Sequence, residues 1–181
     1  ARLNPDGTHD SFFNPGAGAD NPVYAMALQP DGRILVAGGF SSFNSITRPG
    51  VVRLNTNGSV DLSFAPGAGA NGPIYAVALQ ANGKVLIGGE FTSFNGVARA
   101  RIARLNANGS LDTTFDPGAG LNAAVRALAI QPDGGIVAGG SFTTAAGVDR
   151  GYLTRFTADG SLDATFLASP LRGADSSVFA L

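Results

Sequence analysis

The chain has 181 residues, 44% of them hydrophobic, and carries a formal net charge of −1 with 14% charged residues, so it can build one core and has no basic field to hold nucleic acid or an anionic membrane. It has no Cys, no Trp and a single His, which excludes disulfides, thiolate chemistry and a Cys/His zinc site. Gly and Pro, 26 and 10 residues, mark a turn-rich chain that stays below the ~25–30% typical of low-complexity sequence.

The chain opens on a phrase, Arg-Leu-Asn-Pro-Asp-Gly-Thr-His-Asp-Ser-Phe-Phe at 2–13, that returns at 53–64, 104–115 and 155–166. The step between copies is 51 residues each time, the period of a repeat architecture. The phrase reads as a tight hairpin with a three-residue loop, such as Ala107-Asn108-Gly109, closed by a left-handed Gly. Asn106 then faces Ser110, Leu105 faces Leu111 and Arg104 faces Asp112. The same count pairs Leu54 with Val60, Phe156 with Leu162 and Leu3 with His9, and it sets Arg53 against Asp61, Arg155 against Asp163 and Arg2 against Asp10. Apolar pairs fall on one face and Arg/Asp pairs on the other. A cross-strand ion pair contributes roughly 0.2–1 kcal/mol, so the recurrent pair is expected to fix register more than to stabilise the fold.

Gly/Pro-rich crossovers follow at 14–22, 65–73 and 116–124, each leading to a short apolar strand at 23–28, 74–79 and 125–130. Asp-Gly or Asn-Gly turns at 29–33, 80–84 and 131–135 send the chain back through return strands at 34–39, 85–89 and 136–140. In the first of these hairpins Leu28 is expected opposite Ile34, Met26 opposite Val36 and Tyr24 opposite Gly38, with Ala27 facing Leu35 and Ala25 facing Ala37. Both faces are apolar, which predicts a hairpin sandwiched between neighbours. Longer loops at 40–49, 91–100 and 142–151 lead back to the opening phrase through 51–54, 102–105 and 153–156. No window has helical periodicity, and no apolar run reaches the ~18 residues of a membrane span.

The predicted fold is therefore all-β with no helix, a β-propeller-type array of four-stranded antiparallel blades. Residues 1–22 are the outer strands of a partial blade, 23–73, 74–124 and 125–177 are blades, and 178–181 start another. Propellers close with about four to eight blades. The chain is thus expected to be a piece of a longer propeller or to complete a ring with another copy, its terminal blades contacting further protein.

Three linked motifs also resemble a known family. Leu-Asn-Ala-Asn-Gly-Ser-Leu-Asp-Thr-Thr-Phe at 105–115, Val-Ala-Leu-Gln-Ala-Asn-Gly-Lys at 77–84, and Gly-Gly-Glu-Phe at 88–91 with Arg-Ile-Ala-Arg-Leu at 101–105 look like the bacterial delta-sixty repeat, a propeller family of undefined function. The resemblance implies a segment of a large secreted or surface protein, extracellular and bacterial, with no catalytic residues to carry over. The third unit departs from the pattern, with Gly135 after its turn and Ala145-Ala146 in place of Phe94-Asn95.

Among residues with chemical potential, the Asn/Asp-rich tips resemble an EF-hand opening or the Asp-box of sialidase-type propellers. They lack the downstream Glu and flanking helices of an EF-hand, and turn chemistry accounts for them, so no metal is expected. The Gly-Ala-Gly loops at 16–18, 67–69 and 118–120 have no following helix or Lys, and read as crossovers rather than phosphate cradles. His9 stands where the other copies carry Val60, Leu111 and Leu162, a packing position. The recurrent carboxylates Asp10, Asp61, Asp112 and Asp163 have Arg2, Arg53, Arg104 and Arg155 as partners, which argues against acid/base catalysis. Arg48, Arg99 and Arg150, also 51 residues apart, sit in the long loops on the propeller face where binding is expected. A ring of Arg there suits a carboxylated or sulfated glycan or an acidic peptide, and the competing role is a structural bond to loop carbonyls or to an Asp such as Asp20 or Asp149. The expectation is a non-enzymatic scaffold or binding module without cofactor. The alternative is a carbohydrate-active or lactone-hydrolysing propeller whose catalytic groups lie elsewhere.

Overall fold

The tight turns set the frame. In the computed structural model, which describes residues 1–166 and 173–181, the glycines of the inner turns, Gly32, Gly83 and Gly134, take φ of 79–85° and each donates its N–H to the carbonyl of the preceding Gln, at 2.9 Å. The first repeat then comprises β1 (Val23–Leu28), β2 (Ile34–Gly38), β3 (Ser42–Phe43), β4 (Ile46–Thr47) and β5 (Val51–Leu54). The second repeats the pattern as β6 (Ile74–Leu79), β7 (Val85–Gly89), β8 (Ser93–Phe94), β9 (Val97–Ala98) and β10 (Ile102–Leu105). The third has β11 (Val125–Ile130), β12 (Ile136–Gly140), β13 (Thr144–Ala145), β14 (Val148–Asp149) and β15 (Leu153–Phe156). No helix occurs among the described residues, and the 125–177 unit passes through 167–172, which lie outside them.

Each repeat builds one three-stranded antiparallel sheet, in the orders β1-β2-β5, β6-β7-β10 and β11-β12-β15. The fourth strand expected of each blade is reduced to a single bridge, Leu54 to Val60, Leu105 to Leu111 and Phe156 to Leu162. The reason is local competition for hydrogen bonds. One residue beyond the bridge, Asp61 accepts the Ser63 N–H and hydroxyl on its carboxylate, and its carbonyl accepts the Phe64 N–H, so the chain turns before a ladder can extend. In exchange the long loop contains an unexpected two-residue hairpin, β3–β4 and its equivalents, turning at Asn44-Ser45, Asn95-Gly96 and Ala146-Gly147 with positive φ at both positions.

The inner hairpins keep the predicted register from Ala25 to Leu28, with a correction at their open end. Gly38 pairs with Val23 rather than with Tyr24, which is bulged out, and the second and third repeats bulge at the equivalent place. A Cβ at Gly38 would lie 2.2 Å from the Pro22 carbonyl oxygen, so only glycine lets the crossover close in this way.

Sheets stack face to face, and the middle one is buried on both sides, with Leu86 in one core and Ile87 in the other. Val178 sits against Gly139 as Val125 sits against Gly88. The described sheets form an open row rather than a closed ring, since Val23, Met26 and Leu28 of β1 are exposed on the outer face of the first sheet, while Val36, Val52 and Leu54 on that face are buried with Phe13 and Phe43.

Candidate functional site

The recurrent Arg/Asp pair is a four-way junction. Arg53 Nε donates to Asp61 Oδ2 at 2.8 Å, Nη2 to Ser63 Oγ at 3.2 Å and Nη1 to the Ala107 carbonyl at 2.7 Å, and its guanidinium carbon lies 5.0 Å from the Phe64 ring centroid. Arg104 does the same with Asp112, Thr114, the Ala158 carbonyl and Phe115, and Arg2 with Asp10, the Thr56 carbonyl and Phe13. Arg155 bonds Asp163, stacks on Phe166 and turns its Nη1 to Gln131 Oε1 at 3.2 Å. The structure thus joins all four predicted pairs. Arg53, Asp61, Arg104 and Asp112 are buried, and the third donor crosses to the hairpin tip of the next repeat. The eight-residue Arg/Asp offset was visible in the sequence. The reach across 54 residues was not.

The basic residue after the inner turn joins this junction. Lys84 Nζ lies 2.7 Å from Asp112 Oδ2 and Arg33 Nε lies 3.6 Å from Asp61 Oδ2. In the third repeat Gly135 offers no cation, and a cavity of about 120 Å3 lies between Asp133, Gly135, Arg155 and Asp163. Burial pushes the Asp61 and Asp112 carboxyls up. Donors from Ser63 and Arg53 at the first, and from Lys84, Thr114 and Arg104 at the second, outweigh it and hold both below the ordinary carboxylate range. Asp163 is held at about 2, chiefly by Thr165 and then by Arg155.

The long loops and crossovers of each repeat share one face. Asp20 Oδ1 accepts the N–H groups of Ser41 and Ser42, Asn71 those of Thr92 and Ser93, and Asn122 those of Thr143 and Thr144, at 2.8–3.1 Å. Arg48, Arg99 and Arg150 stand half-buried on this face. Each donates Nη1 to the carbonyl of the residue before it, Thr47, Ala98 and Asp149, at 2.8–3.0 Å. The Asp20 carboxylate is occupied by Ser41 and Ser42, and among the described residues none of the three guanidiniums has a carboxylate within salt-bridge reach. Their Nε atoms are buried without partners, so a ligand can meet only the outer guanidinium edge.

The tip carboxylates and amides are spent on their own turns. Asp6 Oδ1 accepts from the Thr8 N–H and hydroxyl, Asn57 from Ser59, and Asp159 from the Ser161 N–H and the Thr157 hydroxyl. His9 lies exposed in a bridge to Leu3. A column on the inner strands escaped the sequence reading. Tyr24 packs edge-on to Tyr75 at 5.1 Å, and Arg126 lies 5.0 Å from the Tyr75 ring and 5.3 Å from the Phe179 ring. Tyr75 donates its hydroxyl to Glu90, which raises the phenol pKa. The signal for the column was the residue after Val23, Ile74, Val125 and Val178, namely Tyr24, Tyr75, Arg126 and Phe179, which breaks the run of small and aliphatic residues.

The family model described as a domain of unknown function (DUF5122) beta-propeller matches residues 29–64, 80–115 and 131–166, together more than half of the chain. The chain belongs to this beta-propeller family. Each match to the DUF5122 model runs from the Gln before the inner turn to the Phe beneath the Arg/Asp junction, so it spans β2–β5, β7–β10 and β12–β15 with their junctions and leaves out β1, β6 and β11. No curated protein matches the chain. Among solved structures, it is similar to the extracellular domain of a protein described as a one-component system from B. thetaiotaomicron, with 14% identity and a TM-score of 0.47 over 96% of this chain and 20% of that one. It is also similar to a protein of unknown function from Bacteroides caccae, with 16% identity and a TM-score of 0.34 over 94% of this chain and 77% of that one. The chain therefore spans a fifth of the first of these proteins.

Proposed function

We propose that this segment is a non-enzymatic β-propeller scaffold whose long-loop face binds an anionic glycan, within a larger secreted or surface bacterial protein. The observation that carries the reading is the repetition of one free charge. Arg48, Arg99 and Arg150 occupy the same loop position, each is oriented by one carbonyl bond, and none is neutralised by a carboxylate among the described residues. Guanidinium groups held in this way suit carboxylate or sulfate, whose oxygens accept from the fork. Placement outside the cell follows from the resemblance to the delta-sixty repeat. The non-enzymatic reading is supported by the state of the recurrent carboxylates: Asp61, Asp112 and Asp163 are bonded to arginine and hydroxyl donors and held below the range useful for proton transfer near neutrality.

Binding of the chain to immobilised dextran sulfate, compared with the triple variant Arg48→Ala, Arg99→Ala, Arg150→Ala, tests the reading. Salt-sensitive binding that falls at least roughly tenfold in the variant is expected. Equal binding by both proteins, or binding only to polyglutamate, would overturn the glycan assignment.

A further inference from the structure

The residue after the inner turn is Arg33 in the first repeat, Lys84 in the second and Gly135 in the third. Lys84 Nζ lies 2.7 Å from Asp112 Oδ2, the oxygen that also accepts Arg104 Nε at 2.6 Å. The equivalent oxygen, Asp163 Oδ2, accepts Arg155 Nε at 2.6 Å, and where the second repeat has its lysine side chain the third has the cavity of about 120 Å3. The walls come from this repeat's own inner turn, Asp133 and Gly135, and from its own phrase, Arg155, Phe156, Ala158 and Asp163, so the cavity owes nothing to a neighbouring repeat.

The backbone does not demand glycine at this place. Gly135 lies outside the left-handed region that holds Gly134 at φ 85°. A Cβ on Gly135 would have only side-chain atoms as its three nearest neighbours, Asp133 Oδ1 and Gln131 Oε1 at 3.0 Å and Arg155 Cδ at 3.4 Å. An alkyl stem can therefore enter beside the arginine methylenes, as a basic side chain does when it lies along apolar surface.

The charges differ in the same sense. In the first repeat Arg33 and Arg53 balance Asp31 and Asp61, with Arg33 3.4 Å from Asp31 and 3.6 Å from Asp61. The third repeat keeps both carboxylates, as Asp133 and Asp163, and among the described residues Arg155 is the one cation within salt-bridge reach of either. Asp133 Oδ1 accepts the Gly135 N–H at 2.9 Å, while its Oδ2 takes no bond among the described residues. The walls thus carry one formal negative charge in excess, matched by one monovalent cation. A divalent ion does not suit them, since it needs about six oxygen ligands and a guanidinium already stands on Asp163. Phe156 and Ala158 add an apolar wall, which favours a cation with a hydrocarbon stem over a bare ion.

We infer that this cavity is a recognition site for a primary ammonium on an unbranched alkyl stem, the group a lysine side chain of a partner presents, taken up from outside where Lys84 occupies the second repeat from within. The ammonium donates to Asp163 Oδ2 and Asp133, and the stem lies along Arg155 and Phe156. The site is among the tight turns, and the inference is independent of the loop-face binding proposed above.

Amide NMR titration of the full chain with n-butylammonium chloride at constant ionic strength tests it. Saturable shifts with a midpoint on the order of 10 mM are expected at Gly135, Ala158 and Asp163, without matching shifts at Lys84, Ala107 and Asp112. Gly135→Lys, which installs the residue the second repeat carries at this place, should weaken binding at least roughly tenfold, and Asp133→Asn, at an exposed position, should weaken it severalfold. Equal affinity for Nα-acetyl-lysine methylamide is expected, and binding of butylammonium without it would overturn the lysine assignment. Absence of saturable shifts, the same shifts with potassium in place of butylammonium, or a titration unchanged by Gly135→Lys would overturn the site itself.

Discussion

At the scale of single residues, the fold rests on guanidinium groups used to near capacity. Arg53 and Arg104 each place three nitrogens on three acceptors and a flat face on a phenyl ring, an arrangement that lysine, with one point charge, cannot reproduce. Because Asp61, Asp112 and Asp163 titrate below their unfolded value of about 3.9, the folded chain binds fewer protons in acid than the unfolded chain does. The contribution of Asp163 is present above about pH 4 and is lost as pH falls through about 2, and those of Asp61 and Asp112 are lost in the same direction. Urea melts should therefore show stability declining across that window. Asp112→Asn should be less stable at pH 7 yet show a shallower decline in acid, and an unchanged acid slope would contradict the assignment.

At the scale of elements, the third repeat carries a correctable fault. The β3–β4 and β8–β9 turns place Asn44 and Asn95 in the left-handed region, where each side chain also accepts a crossover N–H, from Ala17 at 3.2 Å and Ala68 at 3.0 Å. The β13–β14 turn has Ala146 at φ 48°, and the nearby Gly118 has nothing within 4 Å of its Cβ position. Alanine bears the steric cost of that conformation without the compensating bond. Ala146→Asn is expected to stabilise the chain by about 1 kcal/mol, raising the thermal midpoint by roughly 2–4 °C. A lowered midpoint in scanning calorimetry would show that the turn is not under this strain. The same elements mark how much of the fold was legible. The inner hairpins could be read because Asp-Gly or Asn-Gly lies between apolar runs of matching register. The fourth strand could not, because Asp61 and Asp112 compete with the ladder by bonding Ser63 and Thr114 locally. The Tyr24 bulge depends on the Pro22 carbonyl approaching Gly38, a contact with no sequence signature. Of the candidate site, the spacing of Arg48, Arg99 and Arg150 was legible, whereas their bonding to the preceding carbonyl depends on loop geometry that spacing does not encode.

At the scale of the molecule, the repeats are coupled in one direction. Arg2 reaches Thr56, Arg53 reaches Ala107 and Arg104 reaches Ala158, and the hairpin exits follow the same rule, with Asn14, Ala65 and Asp116 donating their N–H groups to Asn57, Asn108 and Asp159. Each hairpin tip is therefore held by the repeat before it, and stability is shared between neighbours as in other linear arrays. That coupling makes the row of sheets a rigid platform for its loop face. Native-state hydrogen exchange of Arg104→Lys tests it most directly, because lysine keeps a charge beside Asp112 and cannot also hold the Ala158 carbonyl. The account predicts lost protection at the Thr157, Gly160 and Ser161 amides of the following tip, with the first repeat unchanged. Loss confined to the hairpin at 104–115 would contradict it.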